Sequence, residues 1–302
     1  MATRTRKRSS APQSRVGFTL IELLVVIAIL MILAGVLLFA LAGVAETARE
    51  ARTRSLISKI DNVIMAQYQT YMTRRVPVDT TDMSPKEAAS ARLQALRELI
   101  KYELPDRYLD ITANPVLVPR TALSKAYKGA LLGDRSEDFE EAECLYLIVA
   151  ALSENGVMEH FSGSDIGDED NDGMKEFIDG WGRPIKFLRW PAGFKSPLQQ
   201  EITGSHKPEN HDMFDTRLVE EDAYAIYPLV YSAGPDKRYS LHNGYQSAIS
   251  VQGGTIDPYQ EVSGAPPEDG GEPTSGQTGN TNSSNDGWED NIHSHRTETG
   301  LR

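Results

Sequence analysis

The N-terminal part of the chain contains one long apolar segment, from residue 18 to residue 44. Glu22 is the only charged residue among these roughly 27 positions, and about 20 apolar residues suffice to cross a bilayer as an α-helix. A secretory signal peptide has a shorter apolar core, of about 7 to 15 residues, before a small-x-small cleavage site. The pattern therefore predicts a membrane-spanning helix over residues 18–44, preceded by a polar leader of residues 1–17.

A second, amphipathic segment follows over residues 45–75, which contain neither proline nor glycine. Its apolar residues recur every three or four positions, as expected for one face of a helix. These residues are Leu56, Ile57, Ile60, Val63, Ile64, Tyr68 and Tyr71. We expect one helix of about 87 Å over residues 18–75, with its first half in lipid and its second half packed on a soluble domain.

The next region, residues 76–262, is long enough for one globular domain with its own core. Ser84-Pro85-Lys86-Glu87 has the order of a capping box, and it predicts a helix that ends near Tyr102. A second helix is predicted over residues 136–155, because Ser136 can cap it and acidic residues follow in its first turn.

Two strands are predicted at residues 184–190 and 224–232, which are rich in aromatic and aliphatic side chains, and we expect the second in the centre of a sheet. From residue 263 the composition changes to Gly, Ser, Thr, Asn, Pro and acidic residues, which predicts a disordered acidic tail over residues 263–302. The predicted fold class is α+β: a long N-terminal transmembrane helical stem packed on a small globular domain with an antiparallel sheet.

Net charge and cysteine content reduce the number of possible functions. The formal net charge is -12, and removal of the five basic residues of the leader lowers it to about -17, which disfavours binding to nucleic acid. Cys144 is the only cysteine, so no intrachain disulfide can form, and within the second predicted helix we expect it to be a buried core residue.

Glu22 lies five residues into the apolar segment. An ionised carboxylate in hydrocarbon costs roughly 2.5 to 3.5 kcal/mol, so such a group is expected to have a partner and a function. Here we expect the partner to be another copy of this protein. The leader contains five basic residues and no acidic one, which by the positive-inside rule places it in the cytoplasm and the rest of the chain outside.

The basic leader, the sequence Gly17-Phe18-Thr19-Leu20-Ile21-Glu22 and the apolar run after it closely resemble the class III leader of type IV prepilins and type II secretion pseudopilins. This resemblance implies that a prepilin peptidase cuts after Gly17 and methylates Phe18, the new amino terminus. A free α-amino group has a pKa of roughly 7.7 to 8.0, so it is largely cationic and able to neutralise Glu22 of a neighbouring subunit.

Residues 168–179 repeat the twelve-residue spacing of a calcium-binding loop. The alternative is an acidic surface turn without metal. Lys175, Gly163 and Gly167 depart from a standard EF-hand, so we expect a solitary loop. Its predicted ligands are the side chains of Asp168, Asp170 and Asp172, the carbonyl of Met174, Glu176 through water, and Asp179 as the closing ligand.

Two further segments resemble signatures of the type II secretion major pseudopilin. Residues 179–184, Asp-Gly-Trp-Gly-Arg-Pro, resemble its Asp-Pro-Trp-Gly-x-Pro signature, and residues 231–236 resemble its Ser-x-Gly-x-Asp segment. In that family the second segment lies in the calcium-binding loop. The resemblance therefore makes Ser232 and Asp236 secondary metal candidates.

The six histidines are scattered, and neither a metalloprotease HExxH motif nor a Gly-x-Ser-x-Gly or phosphate-binding loop is present, so we do not expect an enzyme. The resemblance implies a structural subunit of a type II secretion pseudopilus, single-pass in the inner membrane, with its N-terminus cytoplasmic and its globular domain periplasmic. Implied partners are further copies, other pseudopilins, the prepilin peptidase, the inner-membrane secretion platform and membrane lipid. The alternatives are a type IV pilin for adhesion, motility or DNA uptake, and a membrane-anchored calcium-binding module that does not polymerise.

Overall fold

The structure is a computed structural model that describes residues 19–152, 156–194, 196–199, 210–239, 241, 256–259 and 291–295. The chain divides into two compact units, residues 1–48 and 49–302. The helices are α1 (Leu20–Thr70), α2 (Pro85–Glu103), α3 (Tyr108–Thr112), α4 (Ala122–Ala130) and α5 (Glu140–Leu152). The strands are β1 (Ile166–Gly167), β2 (Glu176–Phe177), β3 (Lys186–Leu188), β4 (Leu229–Ser232) and β5 (Ile292–His293). The architecture is α+β, as the sequence predicts.

The first unit consists of the apolar start of α1, whose large aliphatic side chains are exposed throughout, from Leu20 to Val44. Among the described residues, α1 is the one helix long and apolar enough to cross a membrane. This confirms the predicted long apolar helix, and it is compatible with a single-pass membrane anchor. Phe18, the predicted start of the helix, lies outside the described residues.

The core of the second unit contains one face of α1. Six of the seven residues predicted on that face are buried, each at most 2% exposed: Leu56, Ile57, Ile60, Ile64, Tyr68 and Tyr71. They pack in one cluster with apolar residues of α2, α5 and the strands. The three- to four-residue spacing therefore identified the buried face, because residues at that spacing share one side of a helix.

Helices α2 and α5 both lie where the sequence predicts a helix. The Ser84 hydroxyl accepts a hydrogen bond from Glu87 N, and the Glu87 side chain accepts one from Ser84 N, so the capping box is confirmed. Helix α5 begins at Glu140 and not at Ser136, because Ser136 N donates to the Asp172 carboxylate and its Oγ accepts from Asp138 N. Cys144 is fully buried in α5, as expected.

The described strands form two antiparallel sheets, a two-stranded β1-β2 ladder and a three-stranded sheet of order β3-β4-β5. The central position predicted for the second strand is confirmed by β4, which pairs with β3 on one side and β5 on the other. The β1-β2 ladder pairs Gly167 with Glu176 and thereby closes the loop of residues 168–175.

Strand β5 corrects the prediction of a disordered tail over residues 263–302. Residues 291–295 of that tail are described, and Ile292 is only 5% exposed beside the core. Three polar side chains of this segment bond the backbone of the domain: Asn291 Nδ2 donates to Tyr239 O, Ser294 Oγ accepts from Val230 N at 3.2 Å, and His295 Nε2 lies 3.0 Å from Pro228 O. A polar sequence can therefore form a buried strand here. The rest of the tail lies outside the described residues.

Candidate functional site

Two features carry the predicted chemistry, the start of α1 and a cluster of carboxylates. At the start of α1, Thr19 N and Thr19 Oγ1 both donate to Glu22 Oε2 at 2.8 Å, and Glu22 N donates back to Thr19 Oγ1 at 3.3 Å. This reciprocal capping box fixes the Glu22 carboxylate at the first turn of the helix. Gly17 and Phe18, the predicted processing site, lie outside the described residues.

The carboxylate cluster lies where the β1-β2 loop meets α5. Its five acidic residues form two groups of three that share Asp170: Asp168, Asp170 and Glu176 in one, and Glu143, Asp170 and Asp172 in the other. Within each group, one oxygen of every carboxylate lies within 4.8 Å of the other two. Oxygens at this separation are close enough to share one cation.

The loop backbone aims these side chains at one another. Gly173, with φ +93°, supplies the left-handed turn, and its N–H donates to Asp168 Oδ2 at 3.1 Å. Glu169 N donates to Glu176 Oε2 at 3.2 Å. Asp172 accepts from Ser136 N at 2.6 Å and from Met174 N at 2.7 Å, which ties the loop to the segment before α5. The loop is thus ordered by hydrogen bonds to one oxygen each of Asp168 and Glu176 and to both oxygens of Asp172.

The other carboxylate oxygens have no such partner. Glu143 and Glu176 are both fully buried. Tyr108 Oη donates to Glu143 Oε2, but Glu143 Oε1 and Glu176 Oε1 accept no hydrogen bond. Three more buried oxygens of the cluster are also without a hydrogen-bond partner among the described residues: Asp168 Oδ1, Asp170 Oδ1 and Asp170 Oδ2. Buried polar atoms are normally satisfied, so five unpartnered oxygens at one place are unusual, and they leave this cluster able to accept further bonds.

The pKa shifts of the cluster agree with carboxylates that are poorly satisfied. Burial raises the pKa of Glu176 to about 8, and the neighbouring carboxylates of Glu143, Asp170 and Asp168 act in the same direction. Burial likewise raises the pKa of Glu143 to about 7. The nearby arginines pair elsewhere, since Arg107 binds Glu140 and Glu141 and Arg183 lies 3.5 Å from Glu169. The protein alone therefore leaves the negative charge of this cluster poorly compensated.

Neither group of converging carboxylates includes Asp179 or Asp236. Asp179 Oδ1 accepts from Trp181 N at 2.8 Å and Arg183 N at 2.9 Å, and Asp179 Oδ2 accepts from Ser232 Oγ at 2.6 Å. Asp179 and Ser232 therefore bind each other instead of joining the carboxylate cluster. Asp236 is exposed, and its Oδ1 accepts from Arg238 N at 2.8 Å. Met174 packs its side chain in the core, 4% exposed.

Sequence reasoning missed Glu143. Acidic residues at the start of a helix, such as Glu140, Glu141 and Glu143 in α5, ordinarily indicate only favourable charges near its N-terminus. The sequence nevertheless offers a signal, because Glu143 stands next to the small or apolar residues Ala142, Cys144 and Leu145, and all four are buried. A carboxylate in the middle of a buried stretch requires a compensating group.

Comparison with known proteins gives one match, which covers the N-terminal segment. Residues 17–38 match the family model described as "Prokaryotic N-terminal methylation motif". No curated protein and no solved structure matches the chain significantly.

Proposed function

We propose that this protein, whose N-terminal methylation motif indicates a type IV pilin-like or pseudopilin precursor, is a subunit of a type II secretion pseudopilus. The motif implies cleavage by a prepilin peptidase and pilin-type polymerisation. In the proposal the processed chain is anchored in the inner membrane by the start of α1, with its globular domain in the periplasm. Growth of the filament, driven by a cytoplasmic ATPase as in the family it resembles, pushes folded cargo across the outer membrane.

The observation that carries the proposal is the position of Glu22. Its carboxylate is held in the first turn of an otherwise apolar helix, and Oε1 takes part in neither bond to Thr19. An ionised carboxylate in lipid is stabilised most by a cation that is not already paired with another group. The amino group of a processed neighbouring subunit is such a partner, and the resulting pair would fix the axial stagger between subunits.

The secretion role is favoured over a type IV pilus by two observations. Cys144 is the only cysteine and is fully buried, whereas many type IV pilins close their C-terminal region with a disulfide. In addition, the two segments that resemble signatures of the major pseudopilin are joined by the bond between Ser232 and Asp179. The two segments that carry the resemblance are therefore in contact in the globular domain.

Mass spectrometry of the protein purified from its native membrane tests the first step. We expect a mature chain that begins at Phe18 with one additional methyl group on its amino terminus. A chain that still begins at Met1 contradicts the proposal.

A pair of substitutions at the start of α1 tests polymerisation. Glu22→Gln keeps an acceptor for Thr19 but removes the charge, so we expect normal membrane insertion and loss of filament assembly, measured by cross-linking and electron microscopy of sheared filaments. Thr19→Val removes the local hydroxyl but keeps the Glu22 charge, so we expect assembly to persist. Assembly by Glu22→Gln at the normal level would contradict the charge-pairing argument and favour a membrane-anchored module that does not polymerise.

The secretion role has its own test. Deletion of the gene should abolish the export of folded proteins to the medium, and the intact gene but not its Glu22→Gln form should restore it. If export continues while surface adhesion, twitching or DNA uptake is lost, the protein is a type IV pilin.

A further inference from the structure

We infer that Glu143 of α5 joins Asp168 and Asp170 of the β1-β2 loop and Glu176 of β2 to form a calcium-binding site, which links the loop to a core helix. The inference concerns the globular unit alone and holds whether or not the protein forms a filament. It differs from the twelve-residue loop of the sequence prediction in its closing ligand, which is Glu143 and not Asp179.

The ligand count supports a calcium ion. Calcium takes six to eight oxygens at about 2.3 to 2.6 Å in flexible geometry. The five unpartnered oxygens of Glu143, Asp168, Asp170 and Glu176 provide most of this shell, and both oxygens of Asp170 are among them, which permits bidentate binding. Water from the exposed side of the loop would complete the shell, since Asp168 and Asp170 are only partly buried.

Magnesium fits this donor set less well. Magnesium requires near-ideal octahedral geometry at about 2.0 to 2.1 Å and usually keeps several waters, with only one or two carboxylates as ligands. Here the carboxylates converge in two groups of three that share Asp170, and one member of each group, Glu143 or Glu176, is completely buried. Zinc and copper favour nitrogen or sulfur ligands, and the two groups of converging side chains contain only carboxylates.

A metal-free acidic turn does not explain the buried members. A solvated surface turn would leave its carboxylates exposed to water, whereas Glu143 lies on the buried face of α5 beside Cys144 and Leu145. Two buried carboxylates that face each other without a cation repel and lose hydration. A calcium ion removes both penalties, so binding should stabilise the packing of α5 against the loop and β2.

Asp170 is shared by both groups, so its neutralisation gives a test in two parts. The test uses the full-length protein in detergent, after a chelator has removed bound metal. The wild-type protein should melt at a higher temperature when calcium chloride is added, because calcium binds only the folded state. Asp170→Asn should abolish this response. At the same time it should raise the melting temperature of the calcium-free protein, because it removes one of the repelling charges.

Two further variants place the site. Glu143→Gln should weaken calcium binding in isothermal titration calorimetry, which tests the ligand that comes from α5. Asp236→Asn, a substitution of an exposed acid in the segment 231–236, should leave both the affinity and the melting response of the wild-type protein unchanged.

The outcomes that overturn the inference are distinct. Retention of the calcium response by Asp170→Asn, or unchanged affinity in Glu143→Gln, would exclude this set of ligands. Loss of the response in Asp236→Asn would move the site to residues 231–236. An equal response of the wild-type protein to magnesium chloride at the same concentration would show that the site is not specific for calcium.

Discussion

Ser232 Oγ donates a 2.6 Å hydrogen bond to Asp179 Oδ2, and both residues are buried. The bond joins the end of the central strand β4 to the turn that precedes β3. Asp179 also accepts two backbone N–H groups, so its carboxylate fixes the shape of residues 179–183. Asp179 thus has an architectural role, and it is not one of the five residues of the carboxylate cluster, 143, 168, 170, 172 and 176.

Asp179→Ala should destabilise the domain by about 2 to 4 kcal/mol, because it leaves the Ser232 hydroxyl and two backbone N–H groups without their acceptor. Ser232→Ala removes one of these bonds and should cost less, about 1 to 2 kcal/mol. Urea unfolding of the full-length protein measures both values. The rise of the melting temperature with calcium should persist in both variants, and its loss in Ser232→Ala would show that Ser232 takes part in metal binding.

Gly180→Ala should destabilise the domain by about 1 to 3 kcal/mol, because a Cβ at this position would lie 2.7 Å from Arg49 O and 2.9 Å from Arg49 Cβ. The contact is with backbone, so a side-chain rotation cannot relieve it. Gly129→Ala in α4 is the matched control, since a Cβ there meets no atom within 4 Å and alanine favours a helix. We expect this control to be neutral or slightly stabilising in thermal unfolding, and equal effects of the two substitutions would contradict the close approach.

His295 should make the domain sensitive to acid. Burial lowers its pKa to about 4, whereas an unfolded histidine has a pKa near 6.5. The unfolded state therefore binds a proton first as the pH falls, and the stability that His295 contributes is complete above pH 6.5 and is lost progressively towards pH 4. The expected loss is on the order of 2 to 3 kcal/mol.

His295→Gln removes this titration and isolates it from that of other groups. The difference in unfolding free energy between the wild-type and His295→Gln proteins should change between pH 6.5 and 4, with the wild-type protein losing more stability. Parallel pH profiles of the two proteins, measured by urea unfolding, would mean that residue 295 is accessible to water.

Glu98→Gln should cost about 1 to 3 kcal/mol, because the Glu98 carboxylate accepts three consecutive backbone N–H groups, from Val116, Leu117 and Val118, at 2.6 to 2.8 Å. The amide of glutamine would turn a donor towards these donors. Glu87→Gln is the control, since its exposed capping oxygen is retained in glutamine. In urea unfolding, the unfolding free energy of Glu98→Gln should be well below that of the control and of the wild-type protein. Similar unfolding free energies would contradict a structural role for this carboxylate.

Local sequence patterns predicted those parts of the fold that depend on near neighbours. The spacing of Ile57, Ile60 and Ile64 determines the buried face of α1, and Ser84 with Glu87 determines the start of α2. Loop spacing likewise identified Asp168, Asp170 and Glu176, because alternate positions around Gly173 share one side of a tight turn.

Contacts between distant segments were not predictable in this way. Glu143 meets Asp170 only because α5 packs against β2, a contact that no spacing within either segment encodes. Strand β5 was missed because Ile292 is the only aliphatic residue among residues 291–295, and polar neighbours such as Ser294 bond backbone groups of distant segments. Asp179 fits the calcium-loop spacing, but its carboxylate accepts hydrogen bonds from Trp181 N and Ser232 Oγ, and the spacing of the loop does not predict these contacts.

The pairing of β5 with β4 also constrains when the domain can complete its folding. Val230 and Ser294, which are hydrogen-bonded, are 64 residues apart in the sequence. In the export that we propose, from the N-terminus to the C-terminus, one edge of β4 would therefore remain open until residues 291–295 have been translocated. Closing a loop of that length is slow compared with forming a helix, so α1 and α2 are complete before the last strand docks. In that proposed export, a newly translocated subunit would present an unpaired strand edge, and a chaperone that recognises extended edges would find its target in this interval.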